Sequence, residues 1–154
     1  MSDAWDDRFR SLCDHVAAWS EDRDFKVGCV IVGNGHTVLS LGWNGLPRGV
    51  SPADPMRLDR ESGEKFHWVE HAERNTIYNA ARNGVALEGA RLYVNRFPCA
   101  DCARSIVQSG IVAVHCPPIP ANDGRLDHSF QVSAQILREA GVDVETDAGG
   151  QTPL

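Results

Sequence analysis

The chain lacks a long apolar run and an export signal. No stretch of its 154 residues approaches the roughly 18 consecutive apolar residues from which a membrane span is predicted. The N-terminal residues 1–7 are acidic and polar and do not resemble a signal peptide. We therefore expect no association with a membrane.

Cysteine is scarce, and its number is odd. Two of the five cysteines, Cys99 and Cys102, share a C-x-x-C motif, and the others stand singly in apolar surroundings. Without an export signal, these cysteines fit a reduced cytoplasm better than a disulfide framework. The sequence thus predicts a cytoplasmic location, with Cys13, Cys29 and Cys116 as core thiols.

The chain also lacks a basic stripe. Its net charge is −6, with seven acids and three bases in residues 1–24, four acids and one base in residues 138–154, and ten acids and eleven bases between. A protein that binds a polynucleotide usually needs clustered Lys and Arg. We therefore expect no polynucleotide partner, although one or two local cations could hold a small anion.

The composition is that of one globular domain. An apolar fraction of 42% with 23% charged residues is ordinary for such a protein. A chain of this length can bury a substantial core without a second domain. We expect a single domain over residues 1–147 and a loose C-terminal tail over residues 148–154.

Apolar spacing alternates between the periods of helices and strands. The predicted helices are residues 5–19, 71–83, 99–109 and 130–140, and the predicted strands are residues 27–32, 38–43, 91–95, 111–115 and 142–144. The first two strands form an antiparallel hairpin, and the later strands, which helices separate, run parallel. The pattern predicts an α/β fold with a mixed five-stranded sheet, helices on both faces and a long loop at residues 44–66.

Two short motifs carry the chemistry, H-A-E at residues 71–73 and P-C-A-D-C at residues 98–102. His71, Cys99 and Cys102 are ligands of the types that zinc prefers, and three protein ligands leave a fourth position open, as in catalytic sites. A helix that starts at the proline places both thiols on one face, where the helix dipole stabilises thiolates. Glu73 is a carboxylate beside the metal that is not needed as a ligand. Because it lies two residues from His71, the two residues act together only at the start of a helix.

These motifs make the chain similar to the cytidine/deoxycytidylate deaminase superfamily, of which H-x-E and P-C-x-x-C are the signature. Within that superfamily it most resembles deoxycytidylate (dCMP) deaminases. The segments that carry the resemblance are VGCVIV at residues 27–32, GWNGLPRG at 42–49, HAERN at 71–75, FPCADC at 97–102 and IVQSGI at 106–111. The resemblance implies a three-layer α/β/α sandwich with Zn²⁺ where two helix starts meet.

The resemblance also implies the reaction, hydrolytic deamination of a pyrimidine nucleotide, with dCMP and water giving dUMP and ammonia as the leading case. Glu73 is expected to take a proton from water and pass it to the ring nitrogen and the leaving amine. Asn44, Ala72 and Phe97 are the expected substrate contacts. Relatives assemble as homo-oligomers, either dimers or hexamers, and some dCMP deaminases are regulated by dCTP and dTTP.

A nucleotide substrate requires a cation for its 5′-phosphate. The segment at residues 44–66 can overhang the pocket, and it contains four acidic residues and four cations. The cations are Arg48, Arg57, Arg60 and Lys65. Arg48 is our first choice because it lies close to Asn44 and no acidic residue stands within five positions of it. Arginine can also grip phosphate with two parallel hydrogen bonds.

Other interpretations of the same residues are open. Asn44 could be a simple turn residue, and Phe97 could be a core residue. Each of the four cations at residues 44–66 could belong to an ion pair exposed to solvent. The substrate could be a nucleoside, a free base, guanine or a nucleic acid. The C-x-x-C motif alone could be a redox pair or part of a structural, non-catalytic zinc site.

A different class of enzyme is indicated by a second motif. Residues 67–71 match H-x-x-E-H, the pattern of inverzincin metalloproteases, with His67 and His71 as ligands and Glu70 as the base. That interpretation leaves both cysteines of the C-x-x-C motif unexplained. It also needs a downstream carboxylate ligand that the sequence does not identify. If it fails, His67 is a surface or substrate-side residue.

Overall fold

The structure, a computed structural model, describes residues 4–146, so the predicted tail at residues 148–154 lies outside the described residues. The helices are α1 (Ala4–Ala17), α2 (Lys65–Trp68), α3 (Ala72–Arg82), α4 (Ala100–Gln108) and α5 (Asp127–Glu139). The strands are β1 (Gly28–Val32), β2 (Val38–Trp43), β3 (Arg91–Val94), β4 (Ala113–Cys116) and β5 (Asp143–Thr146). None of the helices in the described region is long and apolar enough to cross a membrane.

The five strands form one mixed sheet in the order β2-β1-β3-β4-β5. β1 pairs antiparallel with both β2 and β3, whereas β3, β4 and β5 run parallel to one another. The predicted hairpin and the predicted parallel half of the sheet are thus both present. Parallel strands need a crossover connection, which α4 and α5 supply.

The two faces of the sheet bury separate groups of side chains, because successive residues of a strand point to opposite faces. Val30, Val32 and Tyr93 pack with Phe9 and Cys13 of α1. The alternate strand residues pack with α3, α4 and α5 in a larger core. The fold is therefore the three-layer α/β/α sandwich that the sequence predicted.

Two glycines allow helices to lie close against the sheet. A Cβ atom at Gly28 would lie 2.0 Å from the carbonyl oxygen of Cys13 in α1. A Cβ atom at Gly42 would lie 2.7 Å from Oγ1 of Thr76 in α3. Any side chain at either position would push its helix away, and at Gly42 the displaced helix is the one that begins next to His71.

Several element bounds differ from the predicted ones by one or two residues, and two differences are larger. α5 begins at Asp127, not at residue 130, because its polar first turn contains no apolar residue to mark the helical period. The segment at residues 44–66 is not irregular throughout. It contains a 3₁₀ turn at Pro55–Leu58, capped by the Asp54 carboxylate, and the chain then enters the short helix α2. We call residues 46–69 the insert, because hydrogen bonds of 3.1 and 2.8 Å between Gly45 and Glu70 close it at its base.

Candidate active site

Two helix starts meet at the predicted metal site. His71 is the residue just before α3, Cys99 is the residue just before α4, and Cys102 lies in the first turn of α4. The Nδ1 atom of His71 is 3.4 Å from the Sγ atom of Cys99 and 3.5 Å from that of Cys102. The three ligand atoms all lie within 4.8 Å of one another. The structure therefore brings together the three residues that the motifs selected.

Glu70 holds the start of α3 in place. Its backbone pairs with Gly45, and its carboxylate accepts a hydrogen bond of 3.0 Å from the backbone N–H of His71. The same carboxylate accepts a 2.6 Å hydrogen bond from Arg74, one turn into the helix. Glu70 thus orients the ligand residue next to it through backbone and side chain.

The start of α4 is held by a side chain from α5. The hydroxyl oxygen of Ser129 accepts a 2.9 Å hydrogen bond from the backbone N–H of Ala100, one of the N–H groups that a helix start leaves without a partner. Arg74 and Asp101 approach to 3.5 Å and link α3 to α4. The two cysteines are therefore anchored from both neighbouring helices.

The two thiols differ in their electrostatics. The hydrogen bond from the Cys102 thiol, followed by that from His71, lowers the pKa of Cys99 to about 4. The same contact with Cys99, followed by burial, raises the pKa of Cys102 well above its usual value. Burial acts to lower the pKa of His71, but its contacts with Cys99 and Glu73 outweigh that effect and raise it. Because metals bind thiolates, a cation that binds both sulfurs displaces the proton that Cys102 holds more strongly than Cys99.

Glu73 lies next to this cluster but is not part of it. It belongs to the first turn of α3 and is only 4% exposed. Burial is the largest effect on its carboxyl group and raises its pKa, while the nearby His71 acts in the opposite direction. A raised pKa suits a carboxyl group that takes up a proton and gives it up again during a reaction.

The donor set fits zinc in number and type. One imidazole nitrogen and two sulfurs that can become thiolates are a usual zinc-ligand set, and three ligands leave one coordination position for water or substrate. A carboxyl group stands beside them, and the order H-x-E then P-C-x-x-C is that of zinc-dependent base deaminases. Fold and site together define the class: the protein is a zinc-dependent deaminase.

The comparisons with known proteins agree with this class. Residues 3–117 match the family described as the cytidine and deoxycytidylate deaminase zinc-binding region, and the chain belongs to that family. It is 37% identical over 146 residues to an uncharacterized deaminase in the luxG 3′ region of Aliivibrio fischeri, covering 94% of each chain. It is 35% identical over 144 residues to the deoxycytidylate deaminase of Mus musculus, covering 90% of this chain and 76% of that protein.

A solved structure supports the same family. The dCMP deaminase of cyanophage S-TIM5 in complex with dCMP and dUMP superposes with a TM-score of 0.77 at 26% identity. The match covers 95% of this chain and 98% of that one. The likeness therefore extends over nearly the whole fold, including both helix starts at the zinc site.

A pocket leads to the cluster, and its volume is about 560 Å³ when the space open to solvent is included. We call the part of its lining that is formed by His71, Ala72, Glu73 and Cys99 the inner end of the pocket. Its apolar walls are formed by Phe25, Phe66, Phe97, Leu126 and Phe130. Phe97 and Phe130 meet edge to face with ring centroids 6.0 Å apart. A flat, partly apolar ring fits between such walls, while polar groups at the inner end can address its edge.

Three cations, Arg60, Lys65 and Arg96, also line this pocket, and we call the part that they form the mouth. The carboxylates that pair with these cations do not belong to the described lining of the pocket. Asp123 forms ion pairs with both Arg60 and Arg96, and its side chain is 3% exposed. Lys65 is 2.7 Å from the buried Asp22 and 3.0 Å from Asp24. The three cations therefore border the pocket, whereas the carboxylates that pair with them are not part of its described lining.

One ring organises these cations. The guanidinium carbon of Arg96 lies 3.8 Å from the ring centroid of Phe25, and that of Arg60 lies 5.0 Å from it. The ammonium of Lys65 lies 5.9 Å from the same centroid. Cations at such distances are attracted by the electron-rich ring face, so Phe25 helps to hold the three positive groups close together.

The predicted substrate contacts are placed as follows. Ala72 and Phe97 are buried and line the pocket, as does Asn44, which is 5% exposed. The amide nitrogen of Asn44, however, donates to Asp22 and to the carbonyl of Phe25, and its oxygen accepts from the Val27 N–H. Asn44 thus holds the segment that carries Phe25, and both its amide hydrogens are used within the protein.

The structure places Arg48 apart from the other predicted substrate contacts. Arg48 is exposed, and its guanidinium donates a 2.5 Å hydrogen bond to the side-chain oxygen of Asn79, on α3. Among the described residues, Arg48 is not part of the pocket lining. The prediction rested on distance along the chain from Asn44, but the turn after β2 directs Arg48 toward the other end of α3. The structure moves the phosphate candidates to Arg60, Lys65 and Arg96.

The structure also adds pocket residues that the sequence interpretation did not select: Phe25, Phe130 and Arg96. A signal existed for Arg96, since it directly precedes the Phe-Pro-Cys segment that enters the zinc site. No comparable signal marked the two phenylalanines. They lie far from the motifs in sequence, on the segment before β1 and on α5.

The metalloprotease interpretation is wrong. His67 lies in α2, which ends at Trp68, whereas His71 precedes α3, and the chain between them is extended. The two histidines therefore do not share a helix, and His67 is exposed and outside the cluster that His71 forms with the cysteines. Glu70, the base of that motif, is paired with Arg74.

Proposed function

We propose that the protein hydrolyses dCMP to dUMP and ammonia, with one Zn²⁺ held by His71, Cys99 and Cys102. The observation that carries this proposal is one pocket that is lined both by two members of the zinc-type cluster, His71 and Cys99, and by three cations. A cytosine ring can reach the cluster while its 5′-phosphate meets the cations. The named activities of the mouse and cyanophage relatives support the same substrate.

The proposed chemistry needs a group at the inner end of the pocket that can carry protons. When bound, zinc lowers the pKa of water to about 7 and so provides a nucleophile near neutral pH. The carboxylate of Glu73 would take one proton from that water and deliver it to N3 of the ring, while the water oxygen forms a bond to C4, the carbon that bears the amine. Glu73 would then carry the second proton of that oxygen to the exocyclic nitrogen. The C4–N bond breaks, ammonia leaves, and C4 keeps the oxygen as a carbonyl. Water and dCMP thereby become dUMP and ammonia.

The pocket residues have separate tasks in this reaction. Phe97, Phe130 and Ala72 form the apolar surface against which the ring lies, and they keep bulk water from the reacting carbon. Arg96 and Arg60 supply planar donors that suit phosphate oxygens, and Lys65 adds a point charge. Since each cation already pairs with a carboxylate, its position is fixed before a substrate arrives.

A substrate panel tests the proposal. Ammonia release is measured for dCMP, CMP, deoxycytidine, cytosine and guanine with the zinc-loaded protein. We expect the highest kcat/KM for dCMP, and a value for deoxycytidine about 10- to 150-fold lower, because a lost charge-assisted hydrogen bond costs roughly 1.5–3 kcal/mol. A protein that prefers deoxycytidine, a free base or guanine would retain the deaminase class and overturn the nucleotide substrate.

The location and assembly follow from the same proposal. A cytoplasmic enzyme would keep its five cysteines as free thiols, as they are in this structure. A homo-oligomer, either a dimer or a hexamer, is expected from relatives of this kind. Size-exclusion chromatography with light scattering, with and without dCTP and dTTP, measures both the assembly and its response to the two nucleotides.

A further inference from the structure

A second group of metal-type ligands lies away from the zinc site, on the face of the sheet that packs against α1. Tyr93, His115 and Glu145 are directly in register across β3, β4 and β5. Asp6 of α1 reaches the same row, and its carboxylate accepts a 2.7 Å hydrogen bond from the Tyr93 hydroxyl. Asp6, His115 and Glu145 each offer one ligand atom within 4.8 Å of the others.

His115 is the unusual member of this group. It is 2% exposed, yet neither of its ring nitrogens has a hydrogen-bond partner among residues 4–146, which the structure describes. Its Nδ1 atom lies 3.5 Å from a carboxylate oxygen of Glu145, and its ring stacks on Tyr93 with centroids 4.2 Å apart. Leaving a buried polar group without a partner costs roughly 1–3 kcal/mol in general, so such an imidazole calls for a ligand.

We propose that Asp6, His115 and Glu145 bind a second divalent transition-metal ion, of the Zn²⁺ or Mn²⁺ type. One imidazole nitrogen and two carboxylate oxygens suit these ions, and the two negative charges balance the charge of a divalent cation. The stacked Tyr93 ring holds the imidazole plane, and the Tyr93 hydroxyl orients the Asp6 carboxylate. Ligands oriented by such outer contacts are a regular feature of metal sites.

The surrounding charges are compatible with this assignment. Burial is the largest effect on His115 and lowers its pKa; Glu145 and Asp6 act in the opposite direction, and Arg10 and Arg91 act in the same direction as burial. A neutral imidazole is the form that donates a lone pair to a metal. Glu145 is the accessible side of the site, with its side chain 54% exposed, so an ion can enter from solvent.

The proposed ion would join three elements of the fold. α1 packs against β1 and β3, whereas His115 and Glu145 belong to β4 and β5, the next two strands of the sheet. A metal ligated from α1, β4 and β5 would fix the helix to both parallel strands. Its role is structural, and the zinc site lies on the opposite face of the sheet.

Metal counting in the full chain tests the proposal. The zinc-loaded protein is dialysed against a small excess of Zn²⁺, and metal per chain is measured by elemental analysis. We expect two equivalents for the wild type and one for Glu145→Gln, whose exposed position should leave the fold intact. Asp143→Asn is the matched control, since Asp143 is an exposed acid two residues away on the same strand, and it should keep two equivalents.

A second measurement separates binding from misfolding. Added Zn²⁺ or Mn²⁺ should raise the thermal midpoint of the wild type and of Asp143→Asn, but not that of Glu145→Gln, because a ligand stabilises only the state that binds it. The affinity for the second equivalent should fall at least about tenfold in Glu145→Gln, while deamination persists. One equivalent in the wild type, or an unchanged second equivalent in Glu145→Gln, would overturn the second site.

Discussion

The two ends of the pocket are built in different ways. At the inner end, all the chemical groups come from two short motifs at helix starts, and their partners lie within a few residues or on an adjacent helix. At the mouth, the cations come from the insert and from the end of β3, and each is held by a carboxylate distant in sequence, such as Asp22 or Asp123. The inner end is therefore held by contacts that are close in sequence or between adjacent helices, whereas the mouth is held by ion pairs between residues that are distant in sequence.

This difference separates the two tasks of the enzyme. Bond breaking depends on a fixed arrangement that the helix starts impose, so we expect substitutions there to abolish turnover. In the proposed function, substrate choice depends on positive groups whose positions rest on long-range ion pairs. Substitutions at the mouth should therefore change affinity and stability while leaving the chemical step in place.

The largest effect is expected at the inner end, from Cys102→Ala. The buried Cys102 supplies one of three metal ligands, and its loss should remove the catalytic zinc and reduce turnover to background. Zinc per chain and ammonia release measure both effects. Cys116→Ala, at a buried cysteine of β4 outside the site, is the control and should keep both. Full catalytic zinc in Cys102→Ala would break the assignment.

Glu73→Gln should give the next largest effect. The amide cannot carry a proton between water and the ring, so kcat should fall about 10²- to 10⁴-fold while zinc stays bound. Glu70→Gln is the matched variant three residues earlier, and it should change turnover less than tenfold because Glu70 only orients the start of α3. If Glu70→Gln were the inactive variant, the proton carrier would have been misassigned.

Lys65→Met tests how the mouth is held. Lys65 is buried against Asp22, whose side chain is 1% exposed, so removing the ammonium leaves a buried carboxylate without its main counter-charge. Breaking a buried ion pair in this way typically costs about 3–5 kcal/mol. Urea unfolding of Lys65→Met should show a loss near the lower figure, since Asn44 still donates to Asp22. Lys26→Met, at an exposed lysine, should leave the free energy of unfolding nearly unchanged.

Arg96→Gln tests the phosphate contact more directly. If Arg96 binds the phosphate, kcat/KM for dCMP should fall about 10- to 150-fold, corresponding to roughly 1.5–3 kcal/mol. The weaker activity on deoxycytidine should change far less, because that compound has no phosphate. Equal losses on both compounds would mean that Arg96 only supports the pocket wall through Phe25 and Asp123.

The smallest effect is expected from Arg48→Gln. Arg48 is exposed and bonded to Asn79, so both kcat/KM for dCMP and the free energy of unfolding should stay within about 0.5 kcal/mol of the wild type. A loss at Arg48 that equals the loss at Arg96, and that spares deoxycytidine, would restore Arg48 as the phosphate ligand. In that case the phosphate would be bound by a residue close in sequence to Asn44, and the contrast between the two ends of the pocket would be lost.

Much of the fold could be predicted because it depends on local patterns. β2 was predicted with its observed bounds, Val38–Trp43, since β-branched and apolar residues are bounded by turn residues on both sides. α3 and α4 were predicted within one residue at each end, because Gly84 and Gly110 mark the chain just after them. The helix α2 was missed because four residues contain too little of a helical period to be recognised.

The sequence by itself determined the zinc-type cluster, the neighbouring Glu73 and the class of reaction. The spacing of residues at a helix start determines the direction of their side chains, so a short motif at such a start predicts how its side chains are arranged. Only the tertiary structure decided which cations border the pocket, that Arg48 does not, and that Phe25 and Phe130 form its walls. Those positions depend on pairings such as Lys65 with Asp22 and Arg60 with Asp123, 43 and 63 positions apart. No local period connects residues so distant, and the folded sheet brings them together.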